Sequence, residues 1–175
     1  MPSRDLDPVT RLTADAVGEP GKRTFYLQAA SGADQVTLLV EKQQVLGLAQ
    51  RLASWLPLLD AARPEDPKEA AAAEAGDLRL AEPLEPDFRV GQLTLSYDDT
   101  RDRILLVATE LVDAEQGVEP QEVRLWVTRA QLRVLARQGA EVAARGRPLC
   151  PLCELPMDPD GHVCPAHNGH RPSPG

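Results

Sequence analysis

One pattern occurs twice in the chain, first as Val36-Thr-Leu-Leu-Val-Glu-Lys-Gln-Gln44 and again as Val123-Arg-Leu-Trp-Val-Thr-Arg-Ala-Gln131. In each copy, alternating aliphatic residues give way to apolar residues spaced three or four apart. Alternation predicts a half-buried strand, and the wider spacing predicts an amphipathic helix packed on it. This strand–helix unit decides the fold class.

Three strands precede each predicted helix. Alternation and turn residues predict the first set at residues 13–17, 23–29 and 35–41 and the second at 88–97, 103–111 and 122–128. The helices are predicted at residues 42–59, where Pro57 is expected to end or kink the helix, and at 129–145, with Gly146 as the stop. Gly91 breaks the alternation and predicts a β-bulge.

The sequence therefore predicts an α+β fold of two strand-strand-strand-helix halves with a largely antiparallel sheet. The repeat is consistent with an internal duplication, and equally with the general look of any strand followed by a helix. Residues 1–147 are expected to form this domain, followed by a C-terminal tail, residues 148–175.

An acidic segment, residues 60–86, separates the halves. It is rich in Ala, Pro, Asp and Glu, which predicts a mobile linker with a short helix near residues 68–74.

Composition narrows the function classes. The 175 residues carry a net charge of −8 and only 3% aromatic residues, which disfavours anionic membranes and stacking platforms for single-stranded nucleic acid. No signal sequence and no apolar run of about 20 residues is found, which predicts a cytoplasmic protein with no membrane partner.

Every cysteine and histidine lies in the tail: Cys150, Cys153, Cys164, His162, His167 and His170. The body therefore cannot assemble a Ser–His or Cys–His pair, and no catalytic residue is predicted.

The tail predicts a metal knuckle, residues 150–164. Cys150-Pro-Leu-Cys153 brings two thiolates onto one ion, and His162 and Cys164 share a face as residues i and i+2. His167 is an alternative fourth ligand and His170 a weaker one. Three thiolates and one imidazole favour a closed, structural Zn²⁺ site.

Four stretches of the chain resemble a bacterial family of uncharacterised proteins, the domain of unknown function numbered 3090. They are Val17-Gly-Glu-Pro-Gly-x-Arg-Thr-Phe-x-Leu-Gln28, Glu41-Lys-Gln-Gln44, Phe88-Arg-Val-Gly91 and the ending Cys-Pro-Leu-Cys…Gly-His-Val-Cys-Pro…Asn-Gly.

The resemblance runs almost end to end and implies no activity. The usual family ending looks like Gly-His-x-Cys-Pro-Arg-x-Asn-Gly, with Ala166 here in place of the Arg and His167 at a position of no fixed type. The resemblance thus implies Cys150, Cys153, His162 and Cys164 as the ligand set.

Three functions fit these observations. The first is a non-enzymatic binding or adaptor module with structural zinc, whose partner is another protein. The second is nucleic-acid binding through the knuckle and an arginine stripe, Arg129, Arg133 and Arg137. The simpler interpretation of the stripe is a solvated helix face, or one that pairs with the chain's own acidic segment. The third is an enzyme or binder for a small acidic or phosphorylated ligand near Glu19, Arg23, Gln28 and Lys42.

Overall fold

A computed structural model describes residues 3–113, 115, 117–146, 148–155, 157 and 162–164. These residues form seven strands and three helices. None of these three helices is long and apolar enough to cross a membrane. The strands are β1 Ser3–Leu6, β2 Arg11–Val17, β3 Thr24–Ser31, β4 Asp34–Val40, β5 Phe88–Asp98, β6 Arg103–Glu110 and β7 Glu122–Val127. The helices are α1 Lys42–Ala62, α2 Pro67–Glu74 and α3 Arg129–Ala144.

The strands form one sheet in the order β1-β7-β6-β5-β4-β3-β2. Four ladders are antiparallel, while β1/β7 and β4/β5 are parallel. The outermost strands, β1 and β2, are consecutive in the chain and joined by residues 7–10, so the sheet must curl until its edges approach each other. The predicted α+β class with a largely antiparallel sheet is confirmed. Strand β1 was not predicted, because Ser-Arg-Asp-Leu has no apolar alternation.

Gln44 joins the start of α1 to the other half of the protein. Its side-chain Oε1 accepts a hydrogen bond from the Glu41 backbone N–H at 2.8 Å, which caps the helix. Its Nε2 donates to the carbonyl of Val90 in β5 at 3.0 Å. One amide therefore fixes both the helix start and the strand that follows the acidic segment.

Gln131 repeats this arrangement at the start of α3. Its Oε1 accepts from the Thr128 backbone N–H at 2.9 Å, and its Nε2 donates to the carbonyl of Val9 at 2.8 Å. Val9 lies between β1 and β2, as Val90 lies at the bulge of β5. The sequence repeat is thus also a structural repeat, with each helix start tied to a backbone carbonyl near the beginning of the opposite half.

The core lies on the inward face of the sheet. Leu27, Leu38, Leu106 and Leu125 occupy its centre and are at most 2% exposed. Helices α1 and α3 pack against each other. At Gly139 a Cβ atom would lie 2.9 Å from Cγ1 of Val45, so the glycine permits this close approach.

One sequence prediction about the first half needs correction, and one about the second half is confirmed. Helix α1 continues through Pro57 to Ala62, because Pro57 faces solvent while Leu56 and Leu59 on either side of it pack on the core. The bulge predicted at Gly91 is confirmed by the register shift between Val90 and Gln92.

The acidic segment is tied to the body rather than free, contrary to the expected mobile linker. Its helix α2 starts at an Asp66 cap, as the alanine run predicts. Beyond α2 the chain crosses the outer face of β2, β3 and β4, where the carbonyl of Leu78 accepts a hydrogen bond from Gln138 Nε2 at 3.0 Å.

Gln28 anchors this crossing. Its fully buried amide binds both backbone groups of Ala81, donating to the carbonyl at 2.9 Å and accepting from the N–H at 2.8 Å. It also donates to Thr37 Oγ1 at 3.0 Å and accepts from Arg11 at 3.0 Å. The amide is fully satisfied and holds the acidic segment on the sheet.

Replacing Gln28 with leucine should release the acidic segment. In Gln28→Leu the partly buried N–H and carbonyl of Ala81 lose their partner, which should lower the free energy of unfolding by about 1–3 kcal/mol. Tryptic cleavage after the exposed Arg79 should accelerate in the same variant. The matched control is Gln43→Leu, an exposed position on α1. Equal cleavage rates in the wild type and both variants would contradict this role of Gln28.

Candidate functional site

A tight backbone turn shapes the start of the knuckle. The Glu154 N–H donates to the Cys150 carbonyl at 2.8 Å, and the Cys150 N–H donates to the Leu155 carbonyl at 2.9 Å. Glu154 adopts a left-handed conformation with φ of 58° to close the turn. This geometry directs Cys150 and Cys153 to one side of the loop.

Four potential ligand atoms converge there. The Sγ atoms of Cys150, Cys153 and Cys164 and a ring nitrogen of His162 all lie within 4.8 Å of one another, a group that could hold a metal ion. The Sγ atoms of Cys150 and Cys164 are 3.8 Å apart. Two thiolates on one tetrahedral zinc, each at about 2.3 Å, would be about 3.8 Å apart. The residues present therefore fit a tetrahedral ion.

The thiols influence one another's protonation. The Leu152 backbone N–H, which donates to Cys150 Sγ, lowers the pKa of that thiol. For Cys153 a backbone hydrogen bond with Leu155 works in the same direction, but burial and the neighbouring sulfurs outweigh it and raise the pKa. Cysteine binds a metal ion as the thiolate, so metal binding here would release protons.

His162 is the histidine that the structure places with the cysteines. Its Nε2 lies 3.2 Å from Cys153 Sγ. The alternative ligands His167 and His170 lie outside the described residues. The choice of His162 over His167 remains a prediction, as does the division into a body and a tail at residue 148.

Large, exposed aliphatic side chains lie within two residues of the ligand residues along the chain. The exposed fractions of Leu149, Leu152, Leu155 and Val163 are 61%, 59%, 48% and 94%. These four residues are called the apolar rim. Half of the exposed large hydrophobic residues identified in the described part of the chain belong to it.

The arginine stripe pairs with the chain's own acids. Arg129 is only 2% exposed and donates to Asp60 and to Asp102, each at 2.8 Å. It also donates to the carbonyls of Arg63 and Pro64 just beyond α1. Because it binds two carboxylates and two carbonyls, Arg129 is a buried connection between the halves.

The other two stripe arginines are paired as well. Arg133 binds Asp60 and Glu65, both at 2.6 Å, and Arg137 binds Glu74 at 2.7 Å. All three guanidinium groups of the stripe thus have carboxylate partners, as the simpler interpretation of the sequence proposed.

Asp102 is a residue whose role the sequence did not reveal, since it lies in the short turn between the predicted strands 88–97 and 103–111. Burial works to raise its pKa, but hydrogen bonds from Arg129 and Tyr97 outweigh that effect and lower the pKa. One signal of this contact was present in the sequence. Arg129 stands in the first turn of a predicted helix, where the helix dipole disfavours a cation, so a carboxylate partner could be expected.

The predicted ligand surface is only partly assembled. Arg23 Nη2 and Lys42 Nζ both approach Gly146, within 3.5 Å and 3.1 Å of the position a Cβ would take there. Gln28 is buried under the acidic segment, and Glu19 lies in the exposed β2–β3 turn. The structure brings Arg23 and Lys42 together and leaves the other two elsewhere.

Removing the buried guanidinium should destabilise the fold. Arg129→Met leaves Asp60 and Asp102 without their shared cation and should cost about 3–5 kcal/mol in urea unfolding at pH 7. The control Arg137→Met removes an exposed pair and should have a much smaller effect.

The stability of the wild type and that of Arg129→Met should also respond differently to acid. Because the folded pKa of Asp102 is lowered, its contribution is fully present above the ordinary aspartate pKa of about 3.9 and is lost as pH falls through the folded value. Arg129→Met should therefore lose less stability than wild type between pH 5 and pH 2, on the order of 1 kcal/mol less. Parallel pH profiles would contradict the ion pair.

Zinc binding should depend on His162. Purified protein should contain one Zn²⁺ per chain, and His162→Ala or Cys153→Ser should weaken binding by more than about 100-fold in chelator competition. The matched controls His167→Ala and His170→Ala should leave affinity unchanged. Weakening by His167→Ala but not by His162→Ala would show that the fourth ligand is misassigned.

Comparison with known proteins gives one match. The family model described as "Protein of unknown function (DUF3090)" matches residues 4–164, which include both halves and all four potential metal ligands. No curated protein and no solved structure matches the chain.

Proposed function

Since the chain belongs to the DUF3090 family of proteins of unknown function, we propose its function from the site itself: a non-enzymatic binding, or adaptor, module with a structural zinc ion. The observation that carries the proposal is the convergence of three sulfurs and one ring nitrogen within 4.8 Å. Such a ligand set favours Zn²⁺ over hard cations.

The proposed zinc is structural rather than catalytic. Four protein ligands complete a tetrahedron, which leaves no position for a substrate or an activated water. The zinc would supply the folding energy of a short segment that has little core of its own. Thiolate ligands need a reducing compartment, in keeping with the proposed cytoplasmic location.

The apolar rim is the proposed contact surface for a protein partner. Leu149, Leu152, Leu155 and Val163 each lie within two residues of a ligand residue and are largely exposed. Solvent-exposed aliphatic groups concentrated in one small element are typical of interaction sites. Metal removal would disperse them, so partner binding should depend on zinc.

Nucleic-acid binding has less support. Its predicted contacts were the stripe arginines, and each of these is paired with a carboxylate. A phosphate backbone would have to displace those pairs against a net charge of −8. An enzymatic function also has less support, because the first 149 residues contain neither Cys nor His.

Quantitative pull-down with the tagged full-length chain tests the adaptor function. A specific protein partner should be retained by the zinc-loaded chain and lost with Cys153→Ser or with chelator. It should also be lost with Leu152→Asp, which leaves the four ligands intact. The matched control Leu58→Asp alters an exposed leucine on α1, and binding should survive.

The partner identified in this way is then titrated as a purified protein by calorimetry. The proposal predicts at least a tenfold weaker affinity for Leu152→Asp and unchanged affinity for Leu58→Asp. Identical partner sets for the wild type, Cys153→Ser and Leu152→Asp would exclude the knuckle as the docking element.

A further inference from the structure

We propose that Arg23, Lys42 and the glycine at position 146 form a binding site for a phosphate group, at the end of α3. The equivalent place in the other half of the protein is occupied by two carboxylates of the chain itself. It is separate from the apolar rim and does not depend on the adaptor function.

The surroundings of the buried arginine in the second half serve as a template for comparison with the proposed site. Arg129 stands at the start of α3, faces the end of α1, and has two carboxylates beside it, Asp102 and Asp60. At this end of the helix pair, positive and negative groups are balanced by the chain itself.

Strand register identifies the equivalent place in the first half. Leu27 pairs with Leu38 as Leu106 pairs with Leu125, so β3 corresponds to β6 and β4 to β7. Arg23 precedes β3 as Asp102 precedes β6, and Lys42 opens α1 as Arg129 opens α3. An arginine therefore occupies the position that holds an aspartate in the template.

The two cations converge without a carboxylate between them. Lys42 Nζ and Arg23 Nη2 lie 3.1 Å and 3.5 Å from the point where a Cβ at Gly146 would be. Among the residues that the structure describes, neither takes part in an ion pair, and the adjacent Glu41 is bound to Arg89 at 2.6 Å. Two like charges held together in this way favour a bound anion.

Arg23 is held in place by the body. Its Nη1 donates to the Val142 carbonyl at 3.0 Å near the end of α3, and its guanidinium lies 5.3 Å from the ring centre of Phe25. The first contact offsets the negative end of the α3 dipole, and the second leaves Nη2 directed toward Gly146. The guanidinium is thus positioned before any ligand arrives.

Phosphate fits this arrangement better than a carboxylate. A guanidinium and an ammonium together match a doubly charged oxyanion. A side chain at position 146 would crowd both cations and the nearby Ala143 carbonyl oxygen. The 21-residue helix α1 also begins at Lys42, so its positive end adds to the same field. The chemistry is shared by free phosphate and by the end of a small phosphomonoester.

Calorimetric titration of the zinc-loaded full chain with inorganic phosphate tests the site, at constant ionic strength adjusted with chloride. Saturable binding with one phosphate per chain is expected. Lys42→Gln, at an exposed position, and Arg23→Gln should each weaken it at least tenfold. Gly146→Ala should weaken it by occupying the space. The control Lys22→Gln changes a neighbouring exposed lysine and should have no effect.

Further ligands show whether the site takes free phosphate or a phosphomonoester, and two results would contradict the proposal. If methyl phosphate binds as tightly as phosphate, the site accepts phosphomonoesters. If methyl phosphate does not bind, the site is specific for the free ion. Both results support the proposal. Acetate binding as tightly as phosphate, or phosphate binding that Lys42→Gln leaves unchanged, would overturn it. Because Arg23→Gln also removes a contact to α3, its thermal unfolding is measured alongside.

Discussion

Two side-chain amides, those of Gln44 and Gln131, carry the constraint on which the architecture depends. Each caps its own helix and binds a backbone carbonyl near the beginning of the opposite half. Because both halves use the same device, the parallel ladders β4/β5 and β1/β7 form at equivalent places. A curled sheet with its ends joined leaves little free strand edge, and it fixes the end of α3, from which the tail departs.

The distribution of charge in the protein follows from this two-fold arrangement and from the acidic segment, which is present in only one half. The acidic segment occurs only after α1, so its carboxylates neutralise the arginines of α3 and none reaches the opposite end of the helix pair. One end thus holds a buried, balanced cluster around Arg129. The other holds Arg23 and Lys42 beside Gly146. A strongly acidic protein can therefore keep a local site of positive potential.

Much of the fold could be predicted because its signals are local. Alternation, helical spacing and turn residues located six strands, two main helices and the bulge at Gly91, and the Cys-x-x-Cys spacing located the candidate metal site. Strand β1 has no such pattern and forms because β7 offers it a partner. The partners of Arg129 and Gln28 are distant in sequence, so no spacing could reveal that Asp102 and Ala81 would meet them.

The candidate metal centre joins these features to the proposed function, because the apolar rim has a defined shape only if its loop does. X-ray absorption at the zinc edge of the purified, zinc-loaded protein tests this account most directly. The account predicts a shell of three sulfurs at about 2.3 Å and one nitrogen at about 2.0 Å. A shell dominated by oxygen, or one with fewer than three sulfurs, would contradict it.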